Sequence, residues 1–523
     1  MDTHQSFEPL RESSASVNGH GGGGESGSLG NLDDADLLDA DELLHRYAIR
    51  DNDRETTRYL SAATQMDLDY ARSVIQKTIY EPYRALAPSY GVDITVVARW
   101  AIDSLRRRIN RDVRLAATLV AGSMIAWLAC SLTSLLIWIP LTILSMLVAA
   151  FIIVVREYWI RQYRILAGEM LQDNFDPARV PQPQRPRVNQ RLQAVADRRN
   201  GNVVVFRERA AFVGSGRRLG REQLVLDVSR GKINSDGIPE EPLPFTNSEL
   251  HNAFAIAVKS ISLRDMRVEE RIFVNGKHVR GNTALQRSSL EQPYSRVSQK
   301  LVRQAAEHPA PDARVYICAE IHGWQGQLMV TMFARAVHIG GWLYLEWSFY
   351  VLPPISKRYM LVDYLYEQSR FTRLRRASAW SLRNTIPAFL FSPFEVMLEI
   401  GRGMSWRARE ASQGYCIRRG QTFDYGAVPS IREDACGWGR NHYFLDRDEI
   451  MYVLLLQKSL IREIGNFLRE HNIDQGEFDK QAQIIIDASY KNYSFHVGGN
   501  VSGANISVGD NANSGGSGGN SGS

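Results

Sequence analysis

The sequence predicts an α+β membrane protein, in which a hairpin of two transmembrane helices is joined to a cytoplasmic α+β domain with an antiparallel sheet. Two observations predict this class. Residues 115–155 contain no charged side chain and have arginines on both sides. From residue 202 onward, short strand-like segments are interspersed with segments of helical periodicity. The 523 residues are enough for two or three domains.

The composition is that of an ordinary folded protein, with 44% hydrophobic and 23% charged residues. A net charge of +5 gives no indication of nucleic-acid binding. The four cysteines are too few for a disulfide framework, and the spacing of Cys416, Cys436 and His442 fits no zinc finger. We therefore expect free thiols, no metal and no cofactor. The N-terminus lacks a signal peptide, and its Gly/Ser-rich start is predicted to be disordered.

The uncharged run is about twice as long as one spanning helix. A single helix of this length would reach about 60 Å, whereas the hydrocarbon core is about 30 Å thick. We therefore expect two helices with a turn within residues 131–140. Because arginines flank both ends, the positive-inside rule predicts an inner-membrane, multi-pass protein with both termini in the cytoplasm. The flanking arginines are Arg106, Arg107, Arg108, Arg111, Arg114, Arg156, Arg161 and Arg164.

Small residues recur every four positions in the first of these helices, at Thr118, Gly122, Ala126 and Cys130. Such a stripe lets helices approach closely in lipid. It favours packing within the hairpin, with packing between protomers as the alternative. The run contains no ionisable Asp, Glu, Lys, Arg or His, which argues against an ion pathway or a proton relay.

The remaining elements follow from periodicity and turn signals. Two helices are predicted before the membrane, and four prolines in residues 173–188 predict a linker after it. The segments "NVVVF" and "QLVLDV" are typical of strands, and the segment after Thr246 is typical of a capped helix. The dipeptide Asn275-Gly276 predicts a β-hairpin. Helices are expected again in "RVSQKLVRQAAEH", in residues 446–472 and in the shorter "EFDKQAQIIIDASY".

Three strands near residues 314–321, 328–339 and 342–352 predict an antiparallel meander. A two-residue turn at Gly340-Gly341 sets Arg335 opposite Glu346 and leaves a polar outer face. We interpret Glu346 as one half of a cross-strand ion pair, worth well under about 1 kcal/mol, rather than as a catalytic carboxylate.

Candidate chemical groups are few. The glycine-rich segment 212–220 resembles a phosphate loop, but its spacing is GxGxxxG and a strand follows it, so we interpret it as a β connection. Glu320 and His322 form a candidate acid/base pair, without a third group that sequence spacing places beside them. We therefore assign no catalytic, cofactor-binding or metal-binding residue, and we favour a protein that is not an enzyme.

A basic and aromatic segment around residues 370–409 suits the headgroup region of a bilayer, with burial in a core as the alternative. The candidate membrane-contact residues are Arg373, Arg375, Arg376, Phe389, Leu390 and Phe391.

Several stretches resemble a group of actinobacterial membrane proteins that have two helices, a cytoplasmic α+β domain and a Gly/Asn-rich C-terminal tail. These stretches are "RYLSAA", "AFVGSG", "YVLPPISKRY", "EFDKQAQIII" and "VSGANISVGDNA". The resemblance runs from about residue 58 onward. It implies localisation and architecture, and it carries no activity.

The tail also resembles short amyloid-type signalling motifs at the ends of actinobacterial defence proteins. Asn residues could stack as ladders between copies, with Val501, Ile506 and Val508 as the apolar assembly residues. The alternative is a flexible tether. We therefore expect a homo-oligomer, with the lipid bilayer and other proteins as partners and no nucleic acid.

These observations favour a membrane-anchored cytoplasmic binding, sensing or scaffold protein. The alternatives are a membrane-tethered enzyme and a defence effector that assembles through its tail. The predicted divisions are a disordered N-terminus (1–35), a helical region (36–112), the hairpin (113–156), a helix and Pro-rich linker (157–200), the α+β domain (201–446), C-terminal helices (447–490) and the tail (491–523).

Overall fold

The computed structural model describes residues 54–133, 137–198, 201–233, 238–261, 263, 266–365, 369–437 and 443–497. All of them belong to one compact unit of the chain. The predictions for the N-terminus and for the tail lie outside the described residues. Within them the protein is a mixed α+β structure built around one six-stranded sheet.

The sheet has the order β1-β3-β4-β5-β6-β2, in which β1 is parallel to β3 and the other neighbours are antiparallel. The predicted meander is confirmed, and so is its register, because Arg335 lies opposite Glu346. Both turn glycines, Gly340 and Gly341, have positive φ, as this tight turn requires. The strands are β1 Val203–Phe206, β2 Arg217–Asp227, β3 Met266–Asn275, β4 Ala313–Gly323, β5 Leu328–Ile339 and β6 Trp342–Leu352.

The prediction of a hairpin at Asn275-Gly276 is wrong. Gly276 begins a short 3₁₀ turn, Gly276–His278, and β3 pairs with β4 across a long connection. A Cβ at Gly276 would lie 2.2 Å from the backbone nitrogen of Gly426. This glycine therefore allows a close approach of two backbones rather than a turn with positive φ.

Helices cover one face of the sheet. The helices of the unit are α1 (54–66), α2 Leu68–Ile79, α3 Ile94–Thr133, α4 Trp138–Trp159, α5 Pro186–Asp197, α6 Asn247–Lys259, α7 Gln299–Glu307, α8 Lys357–Met360, α9 Arg370–Arg418, α10 Ile431–Ala435, α11 Tyr443–Glu470 and α12 Gly476–Val497. Of these, α6, α11 and α12 bury the alternate residues of β4, β5 and β6, including Trp347 and Phe349. Helix α6 begins at the predicted cap, where Thr246 and Glu249 form a capping box.

A second core joins residues 54–101 to the segments that follow α4. Tyr59 and Trp100 are buried there with residues of the Pro-rich segment, of which Phe175 and Val180 are 2% and 6% exposed. The segment predicted as a linker is therefore packed along this core. Arg58 lies fully inside, where it donates to Asp363 and to the carbonyl of Met170.

Two helices are long and apolar enough to cross a membrane. They are α3 and α4, and α4 continues directly as a π-helix, Ile160–Glu169. Their apolar side chains are largely exposed, with Trp127 71% and Leu132 76% accessible. Core helices of a soluble protein bury such residues. A Cβ at Gly122 would collide with the side chain of Met146 on α4, so this part of the small-residue stripe packs within the pair.

Helix α9 is a single helix of 49 residues that crosses α3 and α4. Its first part packs against the C-terminal end of α4, where Trp380 stacks on Tyr158. Its middle packs between the two helices, with Phe389 against Leu115 and Val154. Pro387 and Pro393 bracket this crossing point.

The predicted polar outer face of the sheet is not an outer face. Ala87, Val213 and Ala427, from three irregular segments, pack over it against Phe333 and its neighbours. Polar groups on this face are consequently buried, and they form the sites described next.

Candidate anion-binding site

A cavity of about 410 Å³ opens on the polar face of the sheet. Side chains from β2, β4 and β6 line it, and the segment 209–216 and residues Pro429 and Glu433 contribute further walls. Small-molecule sites in proteins typically occupy about 300–1,000 Å³. The cavity therefore has the size of a ligand site.

Four arginines line the cavity. Arg218 and Arg221 project from β2, Arg314 from β4, and Arg209 from the segment before β2. Among the described residues, Arg209, Arg218 and Arg314 have no ion-pair partner. Arginine stays protonated and presents donors arranged for carboxylates and phosphates. Three positive charges are thus available to a ligand.

The carboxylate of Glu346 lies at the inner side of the cavity and is 5% exposed. It accepts hydrogen bonds from the hydroxyls of Tyr316 (2.5 Å) and Tyr344 (3.0 Å) and from Arg221 (3.3 Å). Arg335 is 3.6 Å away. Burial opposes the charge of Glu346, but these hydrogen bonds and Arg335 lower its pKa. The predicted cross-strand pair with Arg335 is present, but the expectation that it lies on a solvent-exposed face is wrong, because the covering segments remove Glu346 from solvent.

The glycine-rich segment before β2 holds the second carboxylate of the cavity. The backbone N–H groups of Gly214 and Gly216 both donate to Oε1 of Glu433, at 3.1 and 3.0 Å. The other oxygen of Glu433 accepts from the N–H of Ser430, at the start of α10. Donors that could cradle a phosphate are thus occupied by the protein's own anion. The interpretation of this segment as a β connection agrees with the structure, because residues 212–216 lead directly into β2, which begins at Arg217.

Both carboxylates of the cavity are therefore engaged by protein donors, while three of its arginines have no ion pair with any residue that the structure describes. The lining charges that lack an ion pair among the described residues are therefore positive, and positive charge complements an anion. Burial raises the pKa of Tyr316 and of Tyr350, so both phenols stay neutral and act as hydrogen-bonding or apolar walls.

Residues 221–510, more than half of the chain, match a family described as the AbeC-like domain. The chain belongs to the AbeC-like domain family. No curated protein and no solved structure matches it. The matched region begins inside β2 and contains Arg221, Arg314 and Glu346. Arg209, Arg218 and the glycine-rich segment precede the AbeC-like domain, so the cavity is shared between the domain and the chain before it.

The AbeC-like domain also contains the candidate pair Glu320 and His322, which lie on one face of β4. The structure adds a third group, Arg271 of β3, whose Nη1 is 2.5 Å from Glu320. Arg271 also pairs with Glu269 (2.8 Å) and donates to the hydroxyl of Tyr90 (3.0 Å). Burial disfavours the charge of Glu320, but Arg271 lowers its pKa.

The space beside this network is small. The cavity measures about 70 Å³, below the roughly 300–1,000 Å³ of typical small-molecule sites. Nε2 of His322 is 3.9 Å from Glu320, and its Nδ1 has no hydrogen-bond partner among the described residues. The arrangement is that of a buried charge network that fixes β3 against β4. Sequence reasoning missed Arg271 because the incorrect hairpin hid the pairing of these strands.

The predicted membrane-contact residues all lie on α9, but the structure separates them. Phe389 is 4% exposed in the contact with α3 and α4, whereas Leu390 and Phe391 are 60% and 61% exposed. Arg375 and Arg376 are exposed. Arg373 is partly buried, and its guanidinium lies 5.7 Å from the ring centroid of Tyr163. The predicted assembly residues Val501, Ile506 and Val508 lie outside the described residues.

Among the described residues, no group of three His, Cys, Asp or Glu side chains could hold a metal ion. Cys318 and Cys436 are buried, and burial raises the pKa of the Cys436 thiol to about 11. These two thiols are therefore poor nucleophiles at neutral pH.

Proposed function

We propose that this protein is a membrane-anchored cytoplasmic binding protein, whose α+β unit binds a small phosphate- or carboxylate-bearing molecule in the arginine-lined cavity. The observation that carries this proposal is the pairing pattern. Within the described part of the chain, Arg209, Arg218 and Arg314 have no ion-pair partner, while Glu346 and Glu433 are already bound by protein donors. An anionic ligand completes the site without displacing an internal contact.

Binding is favoured over catalysis by the chemistry of the lining. Guanidinium groups do not exchange protons at physiological pH, so they bind and orient anions rather than act as general acids or bases. Glu346 accepts from two phenols and pairs with two arginines, so it is fixed in place as a carboxylate.

The proposed position is at the inner membrane, with α3 and α4 as a two-helix anchor and both chain ends in the cytoplasm. Two features support this placement. Apolar side chains are exposed along both helices, and arginines lie at the helix ends that are away from the hairpin turn. The uncharged segment 384–394 of α9 is too short to span a bilayer, which takes about 20 residues. Leu390 and Phe391 on it are placed to contact the interfacial region.

Calorimetric titration of the full chain in detergent tests the ligand class, with pyrophosphate and citrate as anionic probes and spermidine as a cationic control. We expect saturable binding of at least one anion and none of spermidine. Arg218→Ala combined with Arg314→Ala should weaken binding by about tenfold or more, because each charge-assisted hydrogen bond contributes about 1.5–3 kcal/mol.

The matched control is Arg287→Ala, an exposed arginine outside the cavity that should leave the dissociation constant unchanged. If neither anion binds, or if the double variant binds like the wild type, the proposal fails.

Cysteine reporters test the anchor, in a background without Cys130. An impermeant thiol reagent added to intact cells should label Ser131→Cys, at the far end of α3. It should not label Ser28→Cys or Ser288→Cys. Labelling of either of the latter two from outside would overturn the hairpin.

A further inference from the structure

A second and larger cavity, of about 670 Å³, lies between α3, α9 and the Pro-rich segment. Ile109 and Val113 line it on α3, and Ile400 and Met404 line it on α9. Ile400 and Met404 are 58% and 63% exposed. It is therefore an open groove with an apolar floor, distinct from the cavity on the sheet.

Four arginines of the groove form no ion pair within the described part of the chain. Arg99, Arg106, Arg185 and Arg407 line it, and none has an ion pair with any described residue. The Nε of Arg99 is buried without a hydrogen-bond partner.

The groove's two carboxylates are already neutralised. Asp103 pairs with Arg107 at 2.8 Å, and Glu399 pairs with Arg72 and with Arg402. The surplus of charge is therefore positive, and it complements an anion.

One end of the groove meets the uncharged run. Val113 stands two residues before that run, and Val396 follows the crossing point of α9. From Val113 to Arg99 the groove extends along α3 for about 21 Å. An occupant that enters from a bilayer thus meets apolar residues first, with Arg106, Arg99 and Arg407 farther from it.

We propose that this groove binds one anionic phospholipid from the leaflet that faces the cytoplasmic unit. Its acyl chains contact Val113, Ile109 and Ile400, and its phosphate contacts the arginines. The combination of apolar floor and unpaired arginines matches the two halves of such a lipid. The inference rests on the membrane position proposed above and is independent of the anion cavity on the sheet.

Two glycines on α9 give a matched pair of variants. Gly403 lines the groove, and Gly401 lies on the same helix outside it. A Cβ added at either position meets nothing within 4 Å, and neither has a positive φ. Both Gly403→Trp and Gly401→Trp should therefore fold, since each also replaces a helical glycine with a residue of better helix propensity. Only Gly403→Trp fills the groove.

The test measures lipid retained by the full chain, purified in detergent after exposure to phosphatidylglycerol or phosphatidylcholine. We expect about one phosphatidylglycerol per chain for the wild type and for Gly401→Trp, and a loss of at least fivefold for Gly403→Trp. Arg99→Gln combined with Arg407→Gln should weaken retention of phosphatidylglycerol by about 30-fold and leave phosphatidylcholine unchanged.

Equal retention by Gly403→Trp and Gly401→Trp would overturn the proposal, and so would equal retention of the two lipids by the wild type. Displacement by glycerol phosphate as effective as displacement by the lipid would make the groove a site for soluble anions instead. Membrane fractionation separates these results from failure of the anchor: both tryptophan variants should sediment with membranes, and an anchorless chain would not.

Discussion

The two faces of the sheet are buried by different means. On one face, α6, α11 and α12 cover a continuous apolar layer that includes Trp347 and Phe349. On the other face, irregular segments cover Arg271, Glu320 and Glu346, and cavities remain between them. Alternating apolar and polar residues usually indicate a sheet with one buried face and one solvent-exposed face. Here the alternation separates a face that provides stability from a face that provides charged groups.

The difference has a physical basis in the covering elements. Helices present regular rows of apolar side chains that fill the space above a sheet. Irregular segments leave backbone groups that need partners, and the carboxylate of Glu433 supplies such a partner to Gly214 and Gly216. A ligand site is therefore expected where the cover is irregular.

The largest effect is expected on the apolar face. Phe349→Ala should lower the free energy of unfolding by about 3–5 kcal/mol, because it removes a ring that is 1% exposed and leaves a void. Chemical denaturation followed by tryptophan fluorescence measures it. Val225→Ala, on the opposite face and 47% exposed, should change the same quantity by less than about 0.5 kcal/mol. Similar losses for the two variants would remove the distinction between the faces.

A somewhat smaller effect is expected from the buried charge network. Glu320→Gln should lower the free energy of unfolding by about 3 kcal/mol, because it leaves Arg271 buried with only Glu269 and Tyr90 as partners. Replacing both charges, with Arg271→Met and Glu320→Leu, should restore most of that loss, since no uncompensated charge remains. A double variant less stable than Glu320→Gln would indicate that the network does more than fix β3 against β4.

The smallest effect concerns pH. The folded pKa of Glu346 lies below its usual value of 4.5, so the folded state favours the carboxylate. Its contribution to stability is complete above that value and is lost as the pH falls through the folded pKa. Wild-type thermal midpoints should therefore drop more steeply below pH 4.5 than those of Glu346→Gln. If the thermal midpoints of the wild type and of Glu346→Gln fall in parallel below pH 4.5, the phenols and arginines do not stabilise the carboxylate form of Glu346.

Local signals predicted the elements that depend on near neighbours. The Gly340-Gly341 turn set the register of β5 and β6 correctly, because two residues fix a hairpin. The helix cap at Thr246 and the two long apolar helices could also be predicted, since each is specified by a short window of sequence. The dipeptide Asn275-Gly276 gave an incorrect hairpin prediction, because Gly276 is required for a close backbone contact with Gly426, which lies far away in the chain.

The candidate site was not predictable in the same way. Arg221 lies beside Glu346 only because β2 pairs with β6, more than a hundred residues later. Arg335 and Glu346 were identified as a pair, but their burial depends on segments near Ala87 and Ala427. Periodicity specifies which residues share a face, and it does not specify what covers that face.

Helix α9 is a continuous rod that connects two packed regions of the molecule. Between Phe389, at the crossing with α3 and α4, and Ile417, in the core beside β1 and β3, it spans about 42 Å. Rotation of such a rod by about 5° about the crossing displaces Ile417 by about 4 Å. A change in the tilt of α3 and α4 would thereby displace Ile417, so the angle between these two helices and the edge of the sheet are geometrically linked.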